Sequence, residues 1–384
     1  MTSDALAVDS NNERIQVNDY RPNVFLHLAG STSLLARRAF AYSLIETLHG
    51  KEADAISPHR CLDDGVQGYV FDLVPLRIAL ATSKTALSEG DQHNPHPTPV
   101  ADGDVNLQSH VALSATSPLT PLLQASLSPL PPTKPRIVNS PRSPHEMLRL
   151  IQEVGIDVFD AQWALDIANI GVALDFVFPA SLSDTARVGQ VRNDKRDLGH
   201  NLYQKEYEFD FGSLAGSLRG ALSAEADPDH QLVCPCAACS PVRPRSVDQI
   251  VHAPSDLKMK TDSEGEPEVG YNPPYTRAYI HHLLRTHEMA AHAWLVMHNL
   301  SVLDAFLGGV RRVLGEDPEG FAREVAAFER VYDEGVSDGR GGEGGLFEEA
   351  RRCWKEVELA RGKGRLGREK LKEQYLVTQS DVGL

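Results

Sequence analysis

Three cysteines stand close together in the chain, at Cys234, Cys236 and Cys239. Thiolate sulfur and imidazole nitrogen are the ligands that a tetrahedral structural zinc ion prefers, and so short a cluster can surround one ion without a large backbone rearrangement. A disulfide plus a leftover thiol is the alternative, but a Cys-x-Cys bridge would close a very tight, strained loop. The segment from Met1 to Leu6 also lacks the charged-then-apolar pattern of a secretory signal, so an oxidising compartment is not expected. The spacing therefore predicts a zinc site.

The fourth ligand is expected to be a histidine from a downstream segment rich in that residue. This segment follows Asn272-Pro273-Pro274 and is predicted to form one helix that continues to Asn299. It carries five candidates: His281, His282, His287, His292 and His298. Spacing alone does not choose among them.

The elements that must position these residues alternate between strands and helices. Predicted strands start near Asn23, Gly68 and Pro135, and a segment with helical apolar spacing follows each of them. The third of these helices has a serine cap at Ser143, a proline at its first position and a glycine stop at Gly155. This alternation is typical of parallel βα units and predicts an α/β fold.

Asp160 ends a further short predicted strand, which starts at Ile156. In a (β/α)8 barrel the catalytic groups lie at the C-terminal ends of the strands, so Asp160 is where a nucleophile or base would be placed. Asp157 lies three residues earlier, on the opposite face of the strand, which disfavours a paired-carboxylate acid/base device. Asp157 is instead predicted to be a structural hydrogen-bonding group.

Composition limits the classes of protein to which the chain can belong. Its 384 residues, 41% of them apolar, suit two domains or one large domain with insertions. No uninterrupted run approaches the roughly 20 apolar residues that a membrane-spanning helix needs. The net charge of −15 argues against a protein that grips nucleic acid with its whole surface, and no DNA partner is expected. The basic cluster from Arg351 to Lys372 is either a solvated helix face or a local contact for the phosphates of a nucleic acid.

Two segments resemble the tRNA-guanine transglycosylases, which exchange guanine in a tRNA anticodon for a queuine-type base. The Cys-x-Cys-x-x-Cys motif, followed by Arg277-Ala-Tyr-Ile-His-His-Leu-Leu and Met297-His298-Asn299, looks like the zinc-binding subdomain of that family. Gly155-Ile-Asp-Val-Phe-Asp160 looks like the segment whose last aspartate is the covalent nucleophile of catalytic members.

The resemblance implies one structural Zn²⁺ ion, a ligand set and a fold. The implied ligands are Cys234, Cys236, Cys239 and His298, and the other four histidines are left with packing or surface roles. The implied fold is a (β/α)8 TIM-barrel-like domain, partial at its N-terminal side because family members begin well before the strand at Asn23.

Departures from the family pattern favour its non-catalytic subunit. Catalytic members follow the aspartate with Met-Pro-Thr-Arg, whereas this chain has Ala161-Gln-Trp-Ala-Leu, and the base-binding Asp-Ser-Gly-Gly-Phe-Gln segment is not found. Two further stretches resemble the non-catalytic subunit: Gly171-Val-Ala-Leu-Asp-Phe-Val-Phe and Glu206-Tyr-Glu-Phe-Asp-Phe, the second predicted to be a strand.

The resemblance therefore implies a heterodimer with the catalytic queuine tRNA-ribosyltransferase subunit, with tRNA bound through the complex. It implies that this chain does not catalyse the exchange by itself, and that it is cytoplasmic, with peripheral association with the mitochondrial surface. Two alternatives stay open: a competent transglycosylase that uses Asp160 as its nucleophile, and a zinc-stabilised tRNA-binding scaffold fragment.

The predicted organisation has four parts. Residues 1–22 are expected to be disordered, and residues 23–230 to form the partial barrel, with a low-complexity insertion at about 88–134 that holds one short helix near Leu119 to Leu127. Residues 231–315 are the zinc-binding subdomain, with a solvated loop inserted at 240–274 that costs little extra closure entropy. Residues 316–384 supply C-terminal helices and the basic tail. Cys61 and Cys353 are predicted to be ordinary thiols.

Overall fold

The computed structural model describes residues 23–88, 118–180, 191–192, 194–221, 232–242, 272–335 and 345–360. Four predicted features fall wholly or largely outside these residues: the N-terminal segment, the greater part of the first insertion, most of the loop at 240–274 and most of the basic tail. The division of the chain into four parts stays a prediction.

The N-terminal part contains a parallel sheet in which each strand lies beside the next one along the chain. Its strands are β1 (Phe25–His27), β2 (Gly68–Asp72), β3 (Arg136–Asn139) and β4 (Val158–Phe159). The helices of this part are α1 (Leu34–Ile45), α2 (Lys51–Ile56), α3 (Leu73–Ser88), α4 (Leu119–Leu127) and α5 (Pro144–Val154). The predicted α/β class is confirmed. Within the described residues this sheet has four strands, so a closed barrel is not shown.

Local sequence explains where these helices begin and end. Ser143 caps α5 by accepting a hydrogen bond from the backbone N–H of Glu146, at 3.1 Å, and Gly155 ends it with a φ of 74°. Helix α4 was predicted as a short helix in a low-complexity insertion. Its leucines are instead buried in the core between helices and sheet, so this part of the insertion belongs to the fold.

The C-terminal part combines short antiparallel strands with long helices. Strands β5 (Val172–Leu174) and β8 (Gly199–Asn201) pair with each other, as do β6 (Val191–Arg192) and β7 (Lys195–Arg196). The helices are α6 (Gln162–Asn169), α7 (Arg277–Arg285), α8 (Met289–Glu316), α9 (Phe321–Val331) and α10 (Leu346–Ala360). One hydrophobic core joins β5 to these helices, and its centre is aromatic: Phe176, Phe178, Phe306, Phe328 and Tyr332.

Two predicted elements were wrong. The histidine-rich segment is not one helix, because His287 has a φ of +61° and separates α7 from α8. The stretch from Glu206 is a 3₁₀ helix, Lys205–Phe209, and not a strand. Its alternating apolar pattern misleads because only Tyr207 is buried, where its hydroxyl meets His200, while Phe209 is 76% exposed.

Helix α8 is long and apolar enough to cross a membrane by length and composition. The sequence pattern did not predict this, because polar residues interrupt its apolar run. Its buried face carries His298 and Asn299, both without exposed surface, and packs into the core. Length and apolar composition are equally typical of such a core helix.

Candidate metal centre

Four side chains that were predicted as ligands meet in the core. The ligand atoms of Cys234, Cys236, Cys239 and His298 all lie within 4.8 Å of one another, and all four residues are buried. The three sulfurs lie 3.7, 3.9 and 3.4 Å from His298 Nδ1, in chain order. Metal–ligand bonds of about 2.1 and 2.3 Å at tetrahedral angles would separate nitrogen from sulfur by about 3.6 Å. The donor set and its dimensions therefore fit one tetrahedral metal ion.

The cysteines lie on a compact knuckle that backbone hydrogen bonds hold in shape. The N–H of Cys239 donates to Cys236 Sγ at 3.3 Å, and the N–H of Ser240 donates to the carbonyl of Cys236 at 2.8 Å. The hydroxyl of Ser240 donates to the carbonyl of Cys234 at 2.6 Å. These bonds turn three sulfurs toward one point.

His298 approaches that point from α8, and its second ring nitrogen fixes its orientation. Nε2 lies 3.0 Å from the carbonyl oxygen of Leu174, at the end of β5. Because a carbonyl can only accept, Nε2 carries a proton, and Nδ1 is the ring nitrogen left to face the sulfurs. Histidines that bind metals generally have such an outer hydrogen bond.

The adjacent Asn299 ties the same helix to β5 and α6. Its Oδ1 accepts from the N–H of Leu174 at 3.0 Å, and its Nδ2 donates to the carbonyls of Val172, at 3.0 Å, and Ala164, at 3.3 Å. The consecutive side chains of His298 and Asn299 thus both bind the backbone of β5.

The close packing of the four groups changes their acidity. Hydrogen bonds with Cys236 and Cys239 hold the pKa of the Cys234 thiol well below its usual range, while the hydrogen bond with Cys234 raises the pKa of Cys239. Burial lowers the pKa of His298, but hydrogen bonds with Cys234 and Cys236 raise it overall to about 10. Without an ion, a proton on His298 Nδ1 thus balances the negative charge of the thiolates, and a bound cation would displace that proton and take its place.

The other four histidines lie away from the cluster, as the resemblance implied. Nδ1 of His281 bonds to the carbonyl of Leu202 at 2.7 Å, and that of His292 to the carbonyl of Ala168 at 3.3 Å. His287 lies 3.5 Å from Glu358, and His282 is exposed. Tertiary position therefore leaves only His298 with the cysteines.

Asp160 lies directly after β4, at the predicted strand end, but the structure does not bring it to the metal cluster. One carboxylate oxygen accepts the backbone N–H of Ser140 at 2.8 Å, and the other accepts that of Gln162 at 3.3 Å. Asp160 therefore braces the turn between β3 and α5 and the start of α6. Asp157, predicted to be structural, accepts the backbone N–H of Arg136 at 2.9 Å.

The sequence reading missed a buried polar group beside the metal cluster. Asp175 and His200 are 2% and 3% exposed, and the carboxylate lies 3.0 Å from His200 Nε2. The available signal was a carboxylate directly after the apolar run from Val172 to Leu174, where an acidic side chain needs several hydrogen-bond donors.

Comparison with known proteins links this region to one family. The family model "TGT: Queuine tRNA-ribosyltransferase" matches residues 266–333, which include α7, α8 and His298. The chain is also similar to curated proteins named queuine tRNA-ribosyltransferase accessory subunit 2. That of Caenorhabditis briggsae is 26% identical over 52% of this chain and 37% of its own length. Those of Schizosaccharomyces pombe and Homo sapiens are 26% and 24% identical, over 50% and 53% of this chain.

The chain spans well under two thirds of these relatives, covering 30% of the Schizosaccharomyces pombe protein and 42% of the human one. Within that span the matches and the geometry agree, because the matched helices present His298 to the cysteines. The chain is thus similar to the queuine tRNA-ribosyltransferase family model within residues 266–333, and over about half of its length to proteins named accessory subunit 2.

Proposed function

We propose that this chain is the non-catalytic accessory subunit of a queuine tRNA-ribosyltransferase. In this role it supports the exchange of guanine for queuine at the anticodon wobble position of tRNA, while a catalytic subunit carries out the chemistry. The observation that carries the proposal is the buried Cys3His cluster, which is built on the helices that match the family model. The names of the curated relatives support the accessory role.

The ion is proposed to be Zn²⁺, held by Cys234, Cys236, Cys239 and His298. Three thiolates and one imidazole fill all four tetrahedral positions, which is the composition of a structural rather than a catalytic zinc site. When bound, the ion would cross-link the knuckle to α8. Its role here would therefore be to fix the surface that those two elements form.

The state of Asp160 supports the absence of catalysis by this chain alone. A carboxylate nucleophile must reach the ribose carbon as guanine leaves. Both Asp160 oxygens are instead engaged with backbone N–H groups that shape two turns. The residue at the family's nucleophile position would thus serve as a structural brace.

The remaining features of the proposal follow from the family. The four sequentially ordered parallel strands would belong to a (β/α)8 barrel, since neighbouring strands of such a barrel follow each other in the same way. The chain would form a heterodimer with the catalytic subunit, meet tRNA through that complex, and act in the cytoplasm with access to the mitochondrial surface.

Co-expression with the catalytic subunit of the same organism tests the proposal. A tag on this chain should recover a complex that contains zinc and inserts queuine into tRNA, whereas this chain alone should be inactive. Asp160→Ala in this chain should leave the activity of the complex unchanged. Activity of this chain alone, abolished by Asp160→Ala, would instead establish it as a catalyst.

The metal's contribution is tested separately in the same complex. Cys236→Ser should lose both zinc and the catalytic partner, and Cys61→Ser, which changes a cysteine outside the cluster, should lose neither. Full assembly of Cys236→Ser with an empty metal site would contradict the proposed structural role of zinc.

A further inference from the structure

The ligands of the metal centre come from two distant pieces of chain, and the structure shows what holds these pieces together. The cysteine knuckle and His298 are separated by 59 residues or more. Their separation in space must match the bond lengths of one ion, within a few tenths of an ångström. The dipeptide Leu174-Asp175, at the end of β5, contacts both pieces.

Leu174 holds the helix side with its backbone alone. Its carbonyl oxygen lies 3.0 Å from His298 Nε2, and its N–H donates to Asn299 Oδ1 at 3.0 Å. The N–H and the carbonyl of this one residue therefore both help to place α8 and the imidazole. All three residues are buried.

Asp175 holds the other side with its carboxylate. One oxygen accepts the N–H of Gly216 at 2.8 Å, and the other accepts the N–H of Ser217 at 2.9 Å together with the hydroxyl of Ser217. The chain then leads directly to Arg219. Three donors from two residues give this end of the segment a single position.

Arg219, two residues after Ser217, binds the backbone beside the first metal ligand, Cys234. Its N–H donates to the carbonyl of Leu232 at 2.9 Å, and its carbonyl accepts the N–H of Cys234 at 2.7 Å. A continuous path of hydrogen bonds and short covalent links thus runs from the imidazole of His298, through Leu174-Asp175 and Ser217, to Cys234.

His200 keeps the Asp175 carboxylate charged and oriented. Its Nε2 lies 3.0 Å from Asp175, and its Nδ1 lies 3.1 Å from the hydroxyl of Tyr207. The Nη2 of Arg277 also lies 3.1 Å from His200 Nε2, and because a guanidinium can only donate, Nε2 can donate to Asp175 or accept from Arg277 but not both. Burial alone would raise the pKa of Asp175, but hydrogen bonds from His200 and Ser217 hold it well below its usual range. A buried carboxylate with this many donors is stiff as well as ionised.

We propose that Asp175, oriented by His200, is a positioning residue that sets the distance between His298 and the cysteine knuckle. The inference rests on the proposed metal site. It assigns to this pair the outer-shell function that commonly tunes metal affinity. Asp175→Asn keeps the size of the side chain but removes its charge and replaces one acceptor with an NH2 donor, which then faces the N–H of either Gly216 or Ser217.

The test measures Zn²⁺ affinity by chelator competition, together with the Co²⁺ absorption spectrum, which reports tetrahedral thiolate coordination. Asp175→Asn should weaken Zn²⁺ binding by roughly 10- to 100-fold and change the Co²⁺ spectrum. Ser217→Ala, which removes one of the donors to the carboxylate, should give a smaller loss. The matched control is Asp157→Asn, an aspartate that also accepts a backbone N–H but lies directly before β4, and it should bind both ions like the wild type.

Two results would overturn the inference in distinguishable ways. Wild-type affinity and an unchanged Co²⁺ spectrum in Asp175→Asn, even with lower stability, would reduce Asp175 to an ordinary buried residue and leave the metal site standing. A wild-type chain that binds neither ion would remove the metal site and this inference with it. If Asp175→Asn does not fold, Ser217→Ala decides, since an unchanged Zn²⁺ affinity there would equally count against the positioning role.

Discussion

Removal of the Asn299 side chain tests whether the contacts around β5 stabilise the fold independently of any metal. Asn299→Ala deletes three hydrogen bonds, to Leu174, Val172 and Ala164, at a site with no exposed surface. The helix itself should tolerate the change, because alanine has a higher helix propensity than asparagine. The expected loss therefore reports the contacts between α8, β5 and α6.

The magnitude follows from counting those bonds. Three buried hydrogen bonds between neutral groups contribute about 1 kcal/mol each, and the orphaned N–H of Leu174 adds a desolvation cost of about 1–3 kcal/mol. We expect the free energy of unfolding to fall by about 4–6 kcal/mol, which is roughly three to four powers of ten in the folded-to-unfolded ratio.

Denaturant unfolding, followed by circular dichroism in excess EDTA for every variant, measures this difference without a contribution from metal binding. The control is Asn169→Ala, which changes an exposed asparagine at the end of α6 and should stay within about 0.5 kcal/mol of the wild type. A loss of less than about 1 kcal/mol in Asn299→Ala would refute the reasoning. It would mean that water or a shift of β5 satisfies the orphaned backbone groups.

Three further predictions concern other parts of the chain. Gly309→Ala places a methyl group against the backbone carbonyl of Phe178 and should lower the free energy of unfolding by about 1–3 kcal/mol or more. In the neighbouring Gly308→Ala the nearest atom to the new methyl group is 3.8 Å away, so this variant should be neutral or gain up to about 1 kcal/mol. Thermal unfolding compares the two variants. Burial lowers the pKa of His145 to about 4, so the fold favours its neutral form: stability is complete above the unfolded value of about 6.5 and falls as the pH drops toward 4, by roughly 2 kcal/mol between pH 7 and pH 5. His145→Gln, which keeps a donor for the carbonyl of Tyr332, should flatten that pH dependence in denaturant titrations, and an equally steep dependence would show that another group is responsible. Lys134→Met leaves the buried Asp63 carboxylate without its ion-pair partner and should lower the free energy of unfolding by about 3–5 kcal/mol. Denaturant unfolding measures this loss, and a midpoint equal to that of the wild type would disprove it.

Local patterns were sufficient where the physics is local. The serine cap, proline and glycine stop of α5 act within one turn of the chain, so the sequence placed both ends of that helix correctly. The cysteine knuckle is similar, because three thiols so close in sequence must also be close in space. The four parallel strands followed from the alternation of strand-like and helix-like segments along the chain.

Patterns failed where a distant partner decides the outcome. Nothing within the histidine-rich segment shows that His287 takes a left-handed conformation and splits the helix in two. The alternating residues near Tyr207 look like a strand until His200, seven residues earlier, supplies a partner that buries one of them.

The sequence by itself determined that three thiolates and a downstream histidine are available to one ion, since residue type and short spacing are properties of the chain alone. Only the tertiary structure decided which histidine completes the set, because five candidates share one segment and a single one is turned toward the cysteines by the carbonyl of Leu174. It also decided the roles of Asp160 and Asp175. A carboxylate is a nucleophile, a brace or a clamp according to the donors that surround it, and those donors come from residues that the sequence does not place nearby.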